Sequence, residues 1–250
     1  MTENIFMITI SAHNLSRNFG AHTAVREINL KLKRGEVLGF LGPNGAGKTT
    51  TMRMLTGNLA PSSGSVEICG VDLLDNPRDA KTHIGYLPET PPLYQELTVN
   101  EYLRFAAKLH RVSAINLLSV LDEVKLHCGL KDVGKYLIGS LSKGYRQRVG
   151  IAQAIIHNPD VVILDEPTVG LDPNQVREIL SLIRELGAKR SVILSTHILP
   201  VVESVCNQIQ IMHQGQLVFN DTLFGLKQKE INLEEMFAQL TLNNQTLGNP

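Results

Sequence analysis

The chain has 250 residues, 43% of them apolar, 19% charged and 5% aromatic, and its 24 basic and 24 acidic side chains cancel to a formal net charge of zero. That is ordinary globular composition at a length that buries a full core, so disordered chains and small scaffolds held by disulfides or metal are excluded. The even charge balance provides no basic excess, and no nucleic-acid partner is expected.

Along the chain, Ile8 to Ala12 reads as a first strand. Ile28, Leu30 and Leu32 alternate with Asn29, Lys31 and Lys33, the period of a strand with one wet face, and predict an antiparallel edge element. Val37 to Leu41 is apolar apart from Gly39, as in a strand covered on both faces, and it runs directly into Gly42-Pro43-Asn44-Gly45-Ala46-Gly47-Lys48-Thr49. A helix-forming stretch from Thr50 follows. Strand, glycine-rich loop, helix is the setting in which the pattern GxxxxGK[ST] cradles phosphates. Backbone amides curl around the anion, Lys48 supplies a cation to the β and γ groups, and the Thr49 hydroxyl can ligate Mg²⁺.

From about Pro91 to Pro159 the pattern turns helical. Thr98-Val-Asn-Glu101 fits a capping box, with Leu103, Ala106, Ala107 and Leu109 to His110 following on one face. A second stretch, Ala114 to His127, groups Leu117, Leu118, Leu121 and Val124. Ser142 fits the N-cap of a further helix through Val149, Ile151, Ala152 and Ile155, and the exposed amides there suit an anion; read alone, it is a plain helix cap. Strand signals return at Val161 to Leu164 and at Val192 to Leu194, with a helix after Pro173 between them. The first of these strands ends in Asp165 and Glu166, placed where ligands sit in open α/β sheets. Behind a phosphate loop, Asp165 suits the Mg²⁺ shell and Glu166 suits the deprotonation of water, which favours hydrolysis over transfer.

A hairpin is predicted at His213-Gln-Gly-Gln216, then a short helix from Ile231 to Leu240 and a loose end from Thr241 to Pro250. The predicted fold is α/β: a phosphate-loop core with a mainly parallel sheet, an antiparallel β edge subdomain and an inserted helical subdomain at about residues 90–159. The main domain spans 1–222 and a C-terminal helix and tail span 223–250. Cys69, Cys128 and Cys206 lie far apart, without CxxC or Cys/His spacing, which predicts reduced thiols and argues against a zinc centre; His22, His83, His110 and His127 likewise show no metal-ligand spacing. No apolar run reaches the roughly 18 residues of a membrane span. The first residues show neither the basic start nor the cleavage pattern of a signal peptide.

With these motifs in this order, the sequence resembles the ATP-binding subunits of ABC transporters over roughly Ile8 to Phe219. The resemblance implies ATP and Mg²⁺ as ligands. It assigns Phe19 to stacking on adenine, a role that the residue alone would not suggest. Ser142 and Gly144 match a signature that reaches the γ-phosphate bound by the opposite subunit of a dimer, and His197 matches a switch histidine. Gly170-Leu171-Asp172 matches the loop through which paired subunits touch. Thr50 continues the phosphate site.

Two motifs depart from the family pattern. Lys143 and Tyr145 stand in Leu-Ser-Lys-Gly-Tyr where LSGGQ is usual, and Glu89 in Tyr-Leu-Pro-Glu replaces the glutamine that links Mg²⁺ to the helical insert. Glutamate is also an oxygen ligand, so Glu89 is a candidate for the metal. Both variants are most like the bacterial exporter and gliding-motility branch. The resemblance further implies a homodimer of this subunit, a separate integral membrane permease docking near Glu89 and Pro91 to Leu97, and a place on the cytoplasmic face of the inner membrane. The competing readings are a soluble ABC-type ATPase acting on ribosomes or DNA, a small-molecule kinase, and a nucleotide-binding regulator that does not turn over.

Overall fold

The computed structural model describes residues 8–242; residues 1–7, and most of the loose end expected from Thr241 to Pro250, lie outside it. Strand β1 (Ile8–Phe19) pairs with β2 (His22–Lys33) through a two-residue turn, and β3 (Val37–Leu41) leads into α1 (Lys48–Leu55). Then come β4 (Ser63–Ile68), β5 (Val71–Asp72), α2 (Pro77–Thr82) and β6 (Ile84–Leu87). The helical insert comprises α3 (Val99–Leu109), α4 (Leu117–His127) and α5 (Lys143–Ile155). The core resumes with β7 (Val161–Asp165), α6 (Pro173–Gly187), β8 (Ser191–Thr196) and α7 (Leu199–Val205). It ends with β9 (Gln208–His213), β10 (Gln216–Thr222), α8 (Leu223–Gln228) and α9 (Leu233–Leu242).

Among the described residues the strands form an antiparallel sheet, β2-β1-β4-β5, and a second sheet, β10-β9-β3-β8-β7-β6, parallel except for the edge strand β10. Every residue of β3, β7 and β8 is buried, as expected of central strands covered on both faces. The alternation in β2 is met by its edge position. No helix among the described residues is long and apolar enough to cross a membrane.

Some sequence expectations need correction. β1 runs on to Phe19 because its second half, though polar, is paired with β2. Leu109 and Leu118 are each 66% exposed, so α3 and α4 bury a narrower stripe than their leucines suggest, carried by Leu103, Ala106, Ala107, Leu121 and Val124. Near the C-terminus, α8 was not anticipated, and α9 starts at Leu233 and includes Thr241, expected in the loose end. Leu226 and Leu233 seal the apolar cluster of Ile209 and Ile211, so this region packs on β9.

A stacked pair of imidazoles sits in the insert at its border with the core. His110, capping α3, stacks on His157 after α5 with ring centroids 3.8 Å apart and planes within 3°. The Nε2 of His157 lies 3.0 Å from the Ile84 carbonyl oxygen. Burial pushes the His157 imidazole down to about 4, with His110 adding to the shift, and burial also lowers His110. Below about pH 6.5 the unfolded chain therefore takes up protons that the folded chain refuses, and stability is lost as pH falls toward 4. Urea unfolding is expected to find the protein about 2 kcal/mol less stable at pH 5 than at pH 7, with most of that difference gone in His157→Gln.

Candidate functional site

The carboxyl ends of β3, β7 and β8 finish side by side. Leu41 is opposite Thr196, and Ser195 is opposite Asp165. The loop after β3, Glu166 after β7 and His197 after β8 therefore surround a single cleft of about 520 Å³, whereas Asp165, the last residue of β7, is fully buried and does not line it. Asn44, Gly45, Gly47, Lys48, Thr49, Thr50, Phe19, Glu89, Glu166 and His197 line it, joined by His22, Ala24 and Val169.

The loop holds its shape through glycine. Gly47 has φ +105° and caps α1; a side chain there would meet the Met212 methyl at 2.6 Å and the Ala24 carbonyl oxygen at 2.7 Å. At Gly42 a Cβ would collide with the Met212 carbonyl oxygen. Pro43 and Ala46 do not line the cleft: the Pro43 carbonyl accepts from Ala46 N, and Ala46 is buried in the apolar cluster that contains Met212. The Lys48 ammonium donates to the carbonyls of Gly42 (2.8 Å) and Pro43 (3.2 Å) and lies 3.4 Å from Glu166 Oε1.

The acids are held from behind. Ser195 Oγ donates to Asp165 Oδ1 and accepts from the Glu166 amide at 3.1 Å. Burial pushes the Asp165 carboxyl above the usual carboxylate range, opposed by hydrogen bonds from Ser195 and Thr49; the charges of Glu166 and Glu89 raise it further. Glu166 sits at φ +48°, an uncommon conformation for a side chain of its size, and its Oε1 is 3.0 Å from His197 Nδ1. Asp165 Oδ2 and Glu166 Oε2 are buried with no hydrogen-bond partner. Two such oxygens beside a threonine hydroxyl are the hard donor set that suits Mg²⁺ and an attacking water.

Phe19 ends β1 at the cleft, 48% exposed, with the Arg17 guanidinium 4.7 Å from its ring centroid. Ser142 caps α5, accepting from the Tyr145 amide, but neither Ser142 nor Gly144 lines the cleft that contains Lys48. Instead Lys143 and Arg146 share a separate cavity of about 280 Å³ with Glu89, Pro91 and Leu93. Lys143 also lies against Gly170, in the loop before α6. Asp172 caps α6 by accepting from the amides of Asn174 and Gln175.

Sequence reasoning missed Ser195 and His22. Ser195 becomes functional through its register opposite Asp165; the only local signal is a buried serine two residues before His197. His22 reaches the cleft because the turn after Phe19 folds β2 back beside it.

The ABC transporter family matches residues 25–169, more than half of the chain. The ABC transporter ATP-binding protein YxlF of Bacillus subtilis (strain 168) is 39% identical over 221 residues, covering 88% of this chain and 73% of that protein. The bacitracin transport ATP-binding protein BcrA of Bacillus licheniformis is 38% identical over 240 residues, covering 95% of this chain and 77% of its own. A solved ATP-binding subunit of an ABC transporter superposes with a TM-score of 0.83 at 32% identity, covering 93% of this chain and 99% of the other.

Removing the Lys48 ammonium takes away a cation held at the phosphate loop and leaves Glu166 without its neighbour. Lys48→Ala is expected to weaken ATP binding by about a hundredfold or more, on the order of two charge-assisted hydrogen bonds. Equilibrium titration with a fluorescent ATP analogue measures it, and unchanged affinity refutes the phosphate-loop assignment.

Proposed function

We propose that this chain, which belongs to the ABC transporter family, is the ATP-binding and ATP-hydrolysing subunit of a transporter whose membrane-spanning part is a separate permease. The observation that carries this reading is the cleft in which Lys48, Glu166 and His197 converge while the helix cap at Ser142 lies elsewhere. Such a site is half complete. A second copy, docked head to tail, supplies Ser142 and Gly144 to the γ-phosphate, so ATP binding closes the pair and hydrolysis reopens it.

Within that site the chain's residues have distinct tasks. The loop from Gly42 to Thr50 wraps the phosphates, with Lys48 as the cation, and Phe19 stacks on adenine. Thr49, Asp165 and Glu89 supply oxygens for Mg²⁺, which when bound neutralises developing charge on the β- and γ-phosphates. Glu166 takes the proton of the attacking water through Oε2, while His197 and Lys48 steady Oε1. The permease's cytosolic helix docks in the cavity beside Glu89, Pro91 and Leu93, near the exposed ring of Tyr94, which meets Tyr102 and Phe105 edge-on at 6.0 and 5.7 Å. The subunit then works on the cytoplasmic face of the inner membrane. Export is the direction favoured, because the linearmycin resistance ATP-binding protein LnrL of Bacillus subtilis (strain 168) is 35% identical, and resistance to a toxic compound is served by moving it outward.

Glu89 and Lys143, one residue from each departing motif, line the same small cavity. They compensate one another: an added carboxylate near the Mg²⁺ shell is balanced by an added ammonium on the signature helix. A double-mutant cycle of Glu89→Gln and Lys143→Gly on kcat/KM for ATP is expected to show coupling of about 0.5–3 kcal/mol. Additive effects contradict the pairing.

The decisive experiment uses Glu166→Gln, which binds ATP but cannot take the proton from water; its kcat should fall by about 10²–10⁴-fold. Tagged and captured with Mg-ATP from detergent-solubilised cells, it is expected to bring down a stoichiometric polytopic membrane protein. Recovery of ribosomes or DNA-bound proteins instead overturns the transporter reading.

A further inference from the structure

On the side of the core away from the ATP cleft, three residues that are distant in sequence meet. Cys69, His83 and Asp160 place one ligand atom each within 4.8 Å of one another, all partly accessible to solvent. His83 Nδ1 is 2.7 Å from Asp160 Oδ2, and the Arg34 guanidinium holds the other oxygen, Oδ1. We propose that these three side chains form a binding site for a zinc-class divalent ion, independent of the nucleotide site.

The fold prepares the site from three directions. Cys69 and Gly70 form the two-residue turn between β4 and β5, with φ +51° and +80°, and the Cys69 amide is tied to the Thr9 carbonyl at 2.8 Å. A turn with both central residues left-handed ordinarily takes Asn or Asp followed by Gly. A cysteine there occupies an unfavourable backbone conformation, and a thiol that serves as a ligand gives a reason for it. The His83 carbonyl accepts from the amides of both Asp160 (3.1 Å) and Val161 (3.0 Å), which fixes the starts of β6 and β7 together.

The donor chemistry selects the ion. Thiolate, imidazole and carboxylate form a mixed S, N, O set suited to zinc, whereas Mg²⁺ and Ca²⁺ prefer oxygen throughout. Tetrahedral zinc bonds of about 2.0–2.3 Å place ligand atoms roughly 3.5 Å apart, so on binding the wider pairs, within 4.8 Å, draw in while His83 Nδ1 and Asp160 Oδ2, now 2.7 Å apart, separate. The thiol proton leaves to solvent as the Cys69–metal bond forms, and His83 exchanges its contact with Asp160 Oδ2 for the shared ion. Arg34 remains on Oδ1 and orients the carboxylate, the usual place for an outer partner of a metal ligand. A fourth position stays open to water. Asp165 lies at the other end of β7, roughly 16 Å along the strand, so this ion joins the antiparallel sheet to the foot of the core and takes no part in hydrolysis.

The test uses the full chain in excess Mg²⁺ without nucleotide, titrated with zinc against a chromophoric chelator and, separately, with cobalt. One zinc per chain is expected, along with a thiolate-to-cobalt charge-transfer band. Zinc at a hundred times its Kd should raise the melting temperature by about 5–10 °C. Cys69→Asn suits the left-handed turn and should fold at least as stably without metal, yet lose the band and bind zinc at least about tenfold more weakly, as should His83→Gln. Failure of the wild-type chain to bind one zinc overturns the proposal. So does binding that survives Cys69→Asn, which places the ion elsewhere, such as at Asp165 and Glu166.

Discussion

Everything chemical in this protein depends on the parallel register of β3, β8 and β7. Because Leu41 is opposite Thr196 and Ser195 is opposite Asp165, the three strands end on one line. A phosphate loop, Glu166 and a histidine, far apart in sequence, then open onto the same cleft, with Asp165 buried next to Glu166 at the strand end. A slip of one residue in β7 would exchange the faces of Asp165 and Glu166 and take the unpartnered oxygens out of the site. What secures the register is apolar burial on both faces: Val161 to Leu164 and Val192 to Leu194 are all 0% exposed.

That burial brings charge with it. Lys48, Asp165 and Glu166 are 6%, 0% and 7% exposed, and ions held this far from water cost several kcal/mol each unless they are paired. Pairing is only partial. Lys48 lies 3.4 Å from Glu166, and Ser195 satisfies one oxygen of Asp165, yet Asp165 Oδ2 and Glu166 Oε2 have no hydrogen-bond partner. The core thus carries a standing electrostatic cost in exchange for a site that favours a cation with phosphate oxygens. The left-handed Glu166 backbone belongs to the same trade, since it turns the carboxylate from the strand end toward Lys48 and His197.

Legibility in the sequence follows how local each constraint is. The phosphate loop could be read from consecutive residues because glycine at positions 42, 45 and 47, then lysine and threonine, is itself the geometry. The Thr98 capping box, the Ser142 cap and the buried strand ending in Asp165 are similarly local, and each is found where the pattern puts it. Ser195 was illegible because its role arises from the neighbouring strand. Cys69, His83 and Asp160 were illegible for the same reason: spacing rules find ligands on one turn or helix, not on a hairpin, a helix end and a strand start that the fold brings together. Leu109 and Leu118 misled because helical periodicity marks the side of a helix but not how wide a stripe its neighbours cover.

The two departures from the family pattern become intelligible once their surroundings are known. A carboxylate at Glu89 adds negative charge to a neighbourhood where Asp165 is already raised by burial and by Glu166, which by itself would make the cleft a poorer place for a triphosphate. The cavity of about 280 Å³ that Glu89 lines is also lined by Lys143 and Arg146 at the start of α5, so positive and added negative side chains share one small space. Lys143 lies at the same time against Gly170, in the loop that joins Glu166 to α6. One ammonium therefore sits between the segment that follows β6 and the segment that follows β7. In the proposed transporter cycle, a rotation of the helical insert that moves α5 would shift this ammonium relative to both segments and so change the field at each.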